Sequence, residues 1–307
     1  MSKKILITGS GGMLGKSICK SSKFKNYKLI KTYRKSIDLR NTKNFEKLIK
    51  KTRPDIVIHC AAKVGGIKDN INNPLDYLND NFIINYNVIN TCYKFKIKNL
   101  INIASSCIYP KNFNKKLKET NLLDGKLEET NEGYALSKIF GLKLCKLISD
   151  IKGYNYISVI PCNLFGPYDK FDINRAHLLP SIIQKSLDAK KNNKKNILMW
   201  GNGLVKREFL YIDDLVDFLY ICTQKLNKVP KIINVGYGKD FTVKNFYQMV
   251  INIIDKDIKI KKKLDMPVGQ KFKLLDISLA KKLGWKPKTR IKDGIYNTIK
   301  YLEMNKV

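Results

Sequence analysis

The sequence predicts an α/β fold in which a doubly wound parallel sheet is joined to a smaller C-terminal α/β lobe. Two observations indicate it: strand and helix patterns alternate along the first half of the chain, and the alternation loosens after about residue 163. A chain of 307 residues can bury a sizeable core in one large or two coupled domains. We expect the sheet lobe to comprise residues 1–163 and 205–238, and the smaller lobe residues 164–204 and 239–307.

The first element joins a strand to a helix through a glycine-rich turn. Ile5–Thr8 is a short β-rich apolar run, and the turn starts directly after it. Gly9 permits a tight turn, Gly12 lets the backbone approach a pyrophosphate, and Gly15 allows the helix and strand to pack closely. Free N–H groups at the start of the helix favour an anion there. The segment predicts a Rossmann-type dinucleotide site made by Gly9, Ser10, Gly11, Gly12, Met13, Leu14 and Gly15.

The second strand, expected near Tyr27–Tyr33, bears on the choice between the two dinucleotide cofactors. No acidic residue stands at its end to bind a ribose 2′-hydroxyl, as an NAD site usually requires. Arg34 lies there instead, within a basic cluster that suits a 2′-phosphate. The sequence therefore favours NADP, with Arg34 among its contacts, and Asp38 a few residues further on keeps NAD as the alternative.

Further strands and helices alternate in the order that a parallel sheet requires. The patterns predict strands at Asp55–Cys60, Leu100–Ser105 and Tyr156–Pro161 and long helices at Pro74–Lys96 and Asn131–Asp150. In the second half they predict a helix at 178–190, a turn at 200–203 and a return to the sheet over 209–236. Ligands bind in the crevice at the carboxyl ends of such strands.

Charge and composition argue against several classes of protein. The formal net charge is +33, but the lysines are spread along the chain without an interleaved aromatic stripe. We interpret them as a solvated basic exterior, so no nucleic-acid partner is expected. No apolar run reaches the length of a membrane span, which argues against a membrane partner. Seven scattered cysteines without a Cys-x-x-Cys pair predict neither a metal site nor disulfides, and they fit a reducing cytoplasm.

Tyr134 and Lys138 form the most informative polar pair. They lie four residues apart in a predicted helix and therefore share a helix face. An ammonium group beside a phenol lowers the pKa of the tyrosine, which can then exchange a proton with a sugar or alcohol oxygen near neutral pH. A Ser-Ser-Cys run, Ser105–Cys107, ends the strand upstream of this helix. We expect that run to face the same crevice.

The chain resembles the extended short-chain dehydrogenase/reductases over nearly its whole length. The motifs that carry the resemblance are Ala61–Ile67, Ser105–Pro110, Glu132–Lys138, Asn163–Pro167 and Arg207–Phe209. Within that superfamily the chain is similar to the enzymes that convert GDP-4-keto-6-deoxy-D-mannose to GDP-L-fucose by 3,5-epimerisation and NADPH-dependent reduction at C4. The resemblance implies a GDP-sugar substrate, a cytoplasmic enzyme, and a homodimer formed through the helices at 74–96 and 131–150.

The resemblance also implies a role for each site residue. Cys107 is the implied base and His177 the implied acid of epimerisation, with nearby positive charge lowering the pKa of the cysteine. In the reduction, Tyr134 protonates the oxygen, Lys138 lowers the pKa of Tyr134 and binds the nicotinamide ribose, and Ser105 hydrogen-bonds the same oxygen. The further cofactor contacts it implies are Ala61, Ala62, Lys63, Pro161, Asn163, Leu164 and His177. The substrate contacts it implies are Ser106, Cys107, Asn163, Lys185, Trp200 and Arg207.

Some features leave other interpretations open. Gly11 stands where the family often carries a basic residue for the 2′-phosphate, and Val268 stands where an acidic substrate contact is expected. A 4,6-dehydratase or 4-epimerase of the same superfamily is the second interpretation, although dehydratases place an Asp-Glu pair where this chain has Ser106-Cys107. A non-enzymatic nucleic-acid or regulatory binder is the third. His59 lies inside a predicted strand and is expected to be a satisfied core residue.

Overall fold

The computed structural model describes residues 2–172, 176–266 and 272–305, so Val268 lies outside the described residues. The strands are β1 (Lys4–Thr8), β2 (Lys28–Lys31), β3 (Ile56–His59), β4 (Asn99–Ile103), β5 (Asn155–Pro161), β6 (Asn163–Phe165), β7 (Asn196–Trp200), β8 (Lys206–Arg207), β9 (Phe209–Tyr211), β10 (Ile232–Val235), β11 (Phe241–Thr242) and β12 (Lys259–Lys263). The α-helices are α1 (Met13–Lys20), α2 (Thr42–Thr52), α3 (Ile67–Asn72), α4 (Pro74–Lys94), α5 (Glu132–Lys152), α6 (Leu178–Lys191), α7 (Ile212–Gln224), α8 (Val243–Ile254), α9 (Ser278–Lys282) and α10 (Ile291–Asn305).

A six-stranded parallel sheet forms the centre of the molecule. Its strand order is β10-β5-β4-β3-β1-β2, and neighbouring strands run parallel throughout. Every residue of β3 is buried, as expected for a strand covered by helices on both faces. The chain leaves β1 toward β2 and then returns to β3 on the other side of β1. This change of direction opens a crevice at the carboxyl ends of the strands, and it confirms the predicted α/β fold.

The two long predicted helices, α4 and α5, pack against one another on one face of the sheet. Pro74 begins α4 at the position where its missing N–H costs nothing. Gly153 ends α5 in the left-handed conformation with φ 66°, which favours glycine. Both helices lie within two residues of their predicted bounds. The catalytic pair predicted from the sequence therefore stands near the start of α5, above the sheet.

A second core, which contains a cluster of aromatic rings among aliphatic side chains, lies under the small two-stranded sheets of the C-terminal half. Phe165, Phe209 and Phe246 are fully buried there, and their rings meet edge to face. The predicted return to the central sheet over 209–236 is correct only at its end, because β10 joins that sheet whereas β9 pairs with β6. None of the helices in the described ranges is long and apolar enough to cross a membrane.

Candidate active site

The glycine turn after β1 is shaped by two close approaches of backbone, at Gly9 and at Gly15. Gly9 has φ +69°, and a Cβ added to it would lie 2.8 Å from the Cα of Ala61. A Cβ on Gly15 would overlap the carbonyl oxygen of Gly9. At Gly12, by contrast, the nearest atom to an added Cβ is 3.5 Å away, which is an ordinary contact. Gly9 and Gly15 are thus required by packing, whereas Gly12 borders open space where a ligand could approach.

A cavity of about 490 Å³ lies over the carboxyl ends of the strands beside this turn. Of the predicted cofactor contacts, those that line it are Gly9, Gly11, Gly12, Met13, Leu14, Gly15, Arg34, Ala61, Ala62, Lys63, Ser105, Tyr134, Lys138, Pro161, Asn163, Leu164 and His177. Ser10 is buried instead. Its hydroxyl donates to the carbonyl of Ile7 at 2.9 Å and accepts the N–H of Thr32 at 3.2 Å, so this side chain ties β1 to the end of β2.

The rim of this cavity carries an ion pair that the sequence did not reveal. Arg40 donates from Nε to Oδ1 of Asp38 at 3.0 Å and from Nη2 to Oδ2 at 2.6 Å. These hydrogen bonds lower the pKa of Asp38 to about 2. Arg40 thus engages both carboxylate oxygens of Asp38, and the exposed Arg34 stands nearby on the same rim. The feature of the sequence that could have indicated this ion pair is the spacing of two residues between Asp38 and Arg40.

Tyr134 and Lys138 meet at the base of the cavity as predicted, but their pKa values shift differently. The Nζ of Lys138 donates to the carbonyl of Ile103 at 2.8 Å and lies 5.7 Å from the centroid of the Tyr134 ring. Burial lowers the pKa of Lys138 to about 8. Burial also raises the pKa of Tyr134 well above its ordinary value. The predicted lowering is therefore wrong for this structure, because desolvation of the phenolate, followed by the neighbouring Cys107 and Tyr77, disfavours the charged form.

The Ser-Ser-Cys run turns inward at the end of β4. Ser105 lines the cavity, and its Oγ accepts the N–H of Cys107 at 3.4 Å. Ser106 and Cys107 are 3% and 5% exposed and line neither cavity described here. Burial raises the pKa of the Cys107 thiol, an effect that the charge of Lys273 opposes without overcoming. The expected net lowering of this pKa is thus wrong, since loss of hydration is the larger influence.

A second cavity of about 280 Å³ adjoins the first and gathers the predicted nucleotide-sugar contacts. Its lining includes Lys185, Trp200 and Arg207, and the Nζ of Lys185 lies 5.9 Å from the Trp200 ring centroid. Burial lowers the pKa of Arg207 to about 10, which leaves it positively charged at neutral pH. Asn163 and His177 line both cavities, so they stand where the two meet.

His177 occupies the residue just before helix α6. Its backbone is extended there, and its side chain faces the junction of the two cavities. Burial, followed by the charge of Lys170, lowers the pKa of His177. The imidazole is therefore neutral at pH 7 and retains one N–H that it can donate.

Sequence reasoning missed residues that support the site from other elements. Tyr77 of α4 meets the Tyr134 ring edge to face at a centroid distance of 6.3 Å, and its hydroxyl donates to Asp69 at 2.7 Å. Glu208 accepts the N–H of Gly238 at 2.7 Å and that of Leu275 at 2.9 Å. The partners of Glu208 are distant in sequence, as Tyr134 is from Tyr77, so no spacing could have indicated these contacts. Over the described part of the chain, no cluster of metal-ligating side chains occurs.

Known proteins match the chain over most of its length. The NAD dependent epimerase/dehydratase family matches residues 5–236. The GDP-L-colitose synthase of Yersinia pseudotuberculosis is 40% identical over 299 residues, which cover 97% of each protein. The GDP-L-fucose synthase of Azorhizobium caulinodans is 38% identical over 299 residues, covering 97% of this chain and 96% of that protein.

A solved structure agrees with the same assignment. The GDP-L-fucose synthetase of Naegleria fowleri bound to NADP superposes with a TM-score of 0.88 at 26% identity, covering 99% of this chain and 93% of that one. The resemblance predicted from the motifs is therefore confirmed. The family match and the two full-length relatives show that the chain belongs to the NAD dependent epimerase/dehydratase family.

Proposed function

We propose that the protein converts GDP-4-keto-6-deoxy-D-mannose to GDP-L-fucose by 3,5-epimerisation followed by NADPH-dependent reduction at C4. The observation that carries the proposal is the meeting of the two cavities at Asn163 and His177, beside Tyr134 and Lys138. A nucleotide sugar in the smaller cavity directs its sugar ring toward the catalytic pair. The GDP-L-fucose synthases among the full-length relatives support the same reaction.

NADP is the proposed cofactor, and the cradle around the glycine turn fits it. Gly12 leaves room for a pyrophosphate at the N-terminus of α1, where unpaired N–H groups favour an anion. Arg34 is exposed on the rim for a 2′-phosphate, whereas Asp38 is held by Arg40. The NADP-bound structure of the Naegleria fowleri relative supports this choice. When bound, the cofactor supplies a hydride to the sugar carbon.

Residues of the protein donate the proton that the reduction requires. Because the pKa of Tyr134 is raised, its phenol keeps a proton that it can give to the sugar oxygen as negative charge develops there. Lys138 is anchored on the carbonyl of Ile103, and its positive charge stabilises the phenolate left behind. Ser105 offers a hydroxyl at the same wall of the cavity, where it can hydrogen-bond the sugar oxygen.

Epimerisation is assigned to Cys107 and His177. The ketone at C4 acidifies the protons at C3 and C5, so inversion at each carbon needs a base that removes its proton and an acid that delivers another proton to the opposite face. The raised pKa of Cys107 makes its thiolate the minor form at neutral pH, and the nearby Lys273 stabilises that form. We expect Cys107→Ser to abolish exchange of the C3 and C5 protons with solvent, as followed by NMR in deuterated water. Full exchange in that variant would exclude Cys107 as the base.

The decisive experiment is NADPH consumption when the purified protein meets GDP-4-keto-6-deoxy-D-mannose, with NADH in parallel. Rapid oxidation of NADPH with GDP-L-fucose as product supports the proposal, and a clear preference for NADH contradicts the role given to Arg34. A tightly retained NAD and no net oxidation would instead support a 4-epimerase. The GDP-L-colitose synthase among the relatives makes the ketone precursor of GDP-L-colitose the second substrate to assay.

A homodimer is part of the same proposal. Helices α4 and α5 carry exposed apolar residues on their outer surfaces: Phe82, Ile83, Tyr86, Leu147 and Ile151. An exposed apolar patch of this kind is typical of a protein–protein interface. Pairing the two helices with their copies in a second subunit buries that patch. We also propose that the enzyme is cytoplasmic.

A further inference from the structure

A buried chain of polar groups connects the end of β1 to helix α5. Thr8, His59 and Asn85 are 0%, 1% and 1% exposed. The Oγ1 of Thr8 lies 2.7 Å from Nδ1 of His59, and Nε2 of the same ring lies 3.0 Å from Oδ1 of Asn85. The Nδ2 of Asn85 then lies 2.9 Å from the carbonyl oxygen of Ser137. The three side chains come from the neighbouring strands β1 and β3 and from helix α4. The hydrogen-bond chain therefore runs from the sheet through α4 to α5, the helix that bears Tyr134.

The direction of every hydrogen bond in the chain follows from its two ends. The Ser137 carbonyl can only accept, so the amide nitrogen of Asn85 faces it and the amide oxygen faces His59. That oxygen also only accepts, so Nε2 of His59 carries a proton. Burial lowers the pKa of His59 to about 3, so the ring is neutral and Nδ1 is an acceptor. Thr8 therefore donates to Nδ1, while its oxygen accepts the N–H of Ala61 at 3.2 Å.

Each end of this hydrogen-bond chain lies at a functional element. Thr8 precedes Gly9, and Ala61 lines the larger cavity beside the glycine turn. At the other end, Ser137 is the residue before Lys138, and its own hydroxyl donates to the carbonyl of Tyr134 at 2.7 Å. A Cβ on Gly141 would lie 3.1 Å from Cγ of Asn85, so the glycine lets Asn85 approach α5.

We propose that His59 is a positioning residue whose hydrogen-bond chain, running from Ala61 through Thr8 and Asn85 to Ser137, couples the floor of the cofactor cavity to the helix that presents Tyr134 and Lys138. The hydrogen bonds all point in one direction, so each one strengthens the next. Leaving a buried donor or acceptor of this chain unpaired costs free energy. Burial, followed by the charge of Lys138, lowers the pKa of His59 and keeps the ring neutral. This role rests on the proposed reduction.

The matched pair Thr8→Val and Thr8→Ser tests the coupling. Valine keeps the shape but removes the hydroxyl, whereas serine keeps the hydroxyl. In folded Thr8→Val we expect kcat to fall about tenfold with an almost unchanged KM for the sugar, and the Kd for NADPH to rise about fivefold. Thr8→Ser restores both values. A Thr8→Val protein with wild-type kcat and wild-type NADPH affinity overturns the coupling, because a purely structural role lowers only stability.

The ring of His59 provides a readout that needs no sugar substrate. In ¹⁵N NMR spectra at neutral pH we expect a slowly exchanging proton on Nε2 and none on Nδ1. A protonated Nδ1 in the wild-type protein overturns the assigned direction. This measurement and the NADPH titration stand even if another sugar proves to be the substrate, so failure of the proposed function is distinguished from failure of the chain.

Gly141→Ala provides a second variant, in which every side chain of the hydrogen-bond chain keeps its chemical groups. The added methyl group displaces Asn85 from Ser137, so we expect the Nε2 proton of His59 to exchange faster and kcat to fall while NADPH affinity stays near wild type. An unchanged exchange rate together with wild-type kcat contradicts the proposed contact between Asn85 and α5.

Discussion

At the scale of single residues, burial sets the chemistry of the candidate site more than charge does. Tyr134 and Lys138 are neighbours, yet desolvation raises the pKa of one and lowers that of the other, so both shifts disfavour the charged form. A protonated phenol is the form needed to donate a proton during reduction. The raised pKa of Tyr134 therefore suits the proposed direction of the reaction.

Tyr134→Phe removes that donor while keeping the ring against Tyr77. We expect kcat for NADPH oxidation to fall about a hundredfold, because loss of a positioned general acid costs that much or more. Initial rates with saturating sugar and cofactor measure it. The matched control is Tyr77→Phe, which loses the hydrogen bond to Asp69 and keeps the edge-to-face ring contact. Retention of most activity in Tyr134→Phe would assign the proton to another group.

The charge of Lys138 predicts the alkaline limit of the reaction. Its pKa is lowered to about 8, so the ammonium is present below that pH and is lost above it. We expect kcat to decline as pH rises through about 8, and a profile measured from about pH 6 to about pH 10 shows this limb. Lys138→Arg keeps its charge throughout that range and removes the limb, whatever its absolute rate. A wild-type profile that is flat through pH 8 contradicts the assignment.

The sequence predicted which residues meet but not how they titrate. The i,i+4 spacing of Tyr134 and Lys138 shows that they share a helix face, since helix geometry is local. The pKa directions of Tyr134 and Cys107 depend on how fully the sheet and the loop bearing Lys273 exclude water, and those elements are remote in sequence. For the same reason the depth of Ser106 emerged only from the structure.

At the scale of elements, the glycines of the turn meet two different requirements. Gly9 and Gly15 allow close packing of the backbone, whereas Gly12 leaves room for a ligand. Gly15 has no room for a side chain because its Cβ would meet the Gly9 carbonyl, whereas the Cβ position of Gly12 makes only an ordinary contact within the protein. The motif predicted the turn correctly because strand, glycines and helix are consecutive. It could not show how tightly Gly9 is held, since the backbone that crowds it belongs to Ala61 in the loop after β3. The C-terminal half was harder to predict, because β9 found a partner other than the central sheet.

Alanine at each position tests this separation. We expect Gly15→Ala to lower the melting temperature by several degrees, because backbone must shift to admit the methyl group. We expect Gly12→Ala to melt near the wild-type temperature but to bind NADPH about tenfold more weakly, because the methyl group enters the space for the pyrophosphate. Thermal unfolding and a fluorescence titration distinguish the two. Equal melting temperatures for both variants would contradict the packing role of Gly15.

At the scale of the whole molecule, each cavity lies against a different hydrophobic core. The core around the central sheet supports the larger cavity, and the second core, in the C-terminal half, supports the smaller one. We propose that the dinucleotide-binding lobe comprises residues 1–163 with 205–238, and the substrate lobe 164–204 with 239–307. The hydrogen bonds of Glu208 to the backbone of Gly238 and Leu275 tie segments of both lobes together.

The proposed dimer predicts a change in mass on disrupting one face. Phe82 is 42% exposed on α4, and its ring lies 4.2 Å from that of Phe140 on α5. We expect the wild-type protein to have twice the 35.4 kDa mass of the chain in light scattering, and Phe82→Lys to have the mass of the single chain. Leu204→Lys, at a residue 66% exposed on the other lobe, is the control that leaves the mass unchanged. A monomeric wild-type protein would exclude the interface.

The meeting of the two cavities at Asn163 and His177 has a consequence for the order of events in a turnover. Because one pair of side chains touches both spaces, the occupant of either space becomes part of the surface that the other occupant meets. Both reactants must then be present together before hydride moves, and neither product departs between two half-reactions. Steady-state rates plotted as reciprocals at several fixed cofactor concentrations should therefore give lines that intersect and do not run parallel.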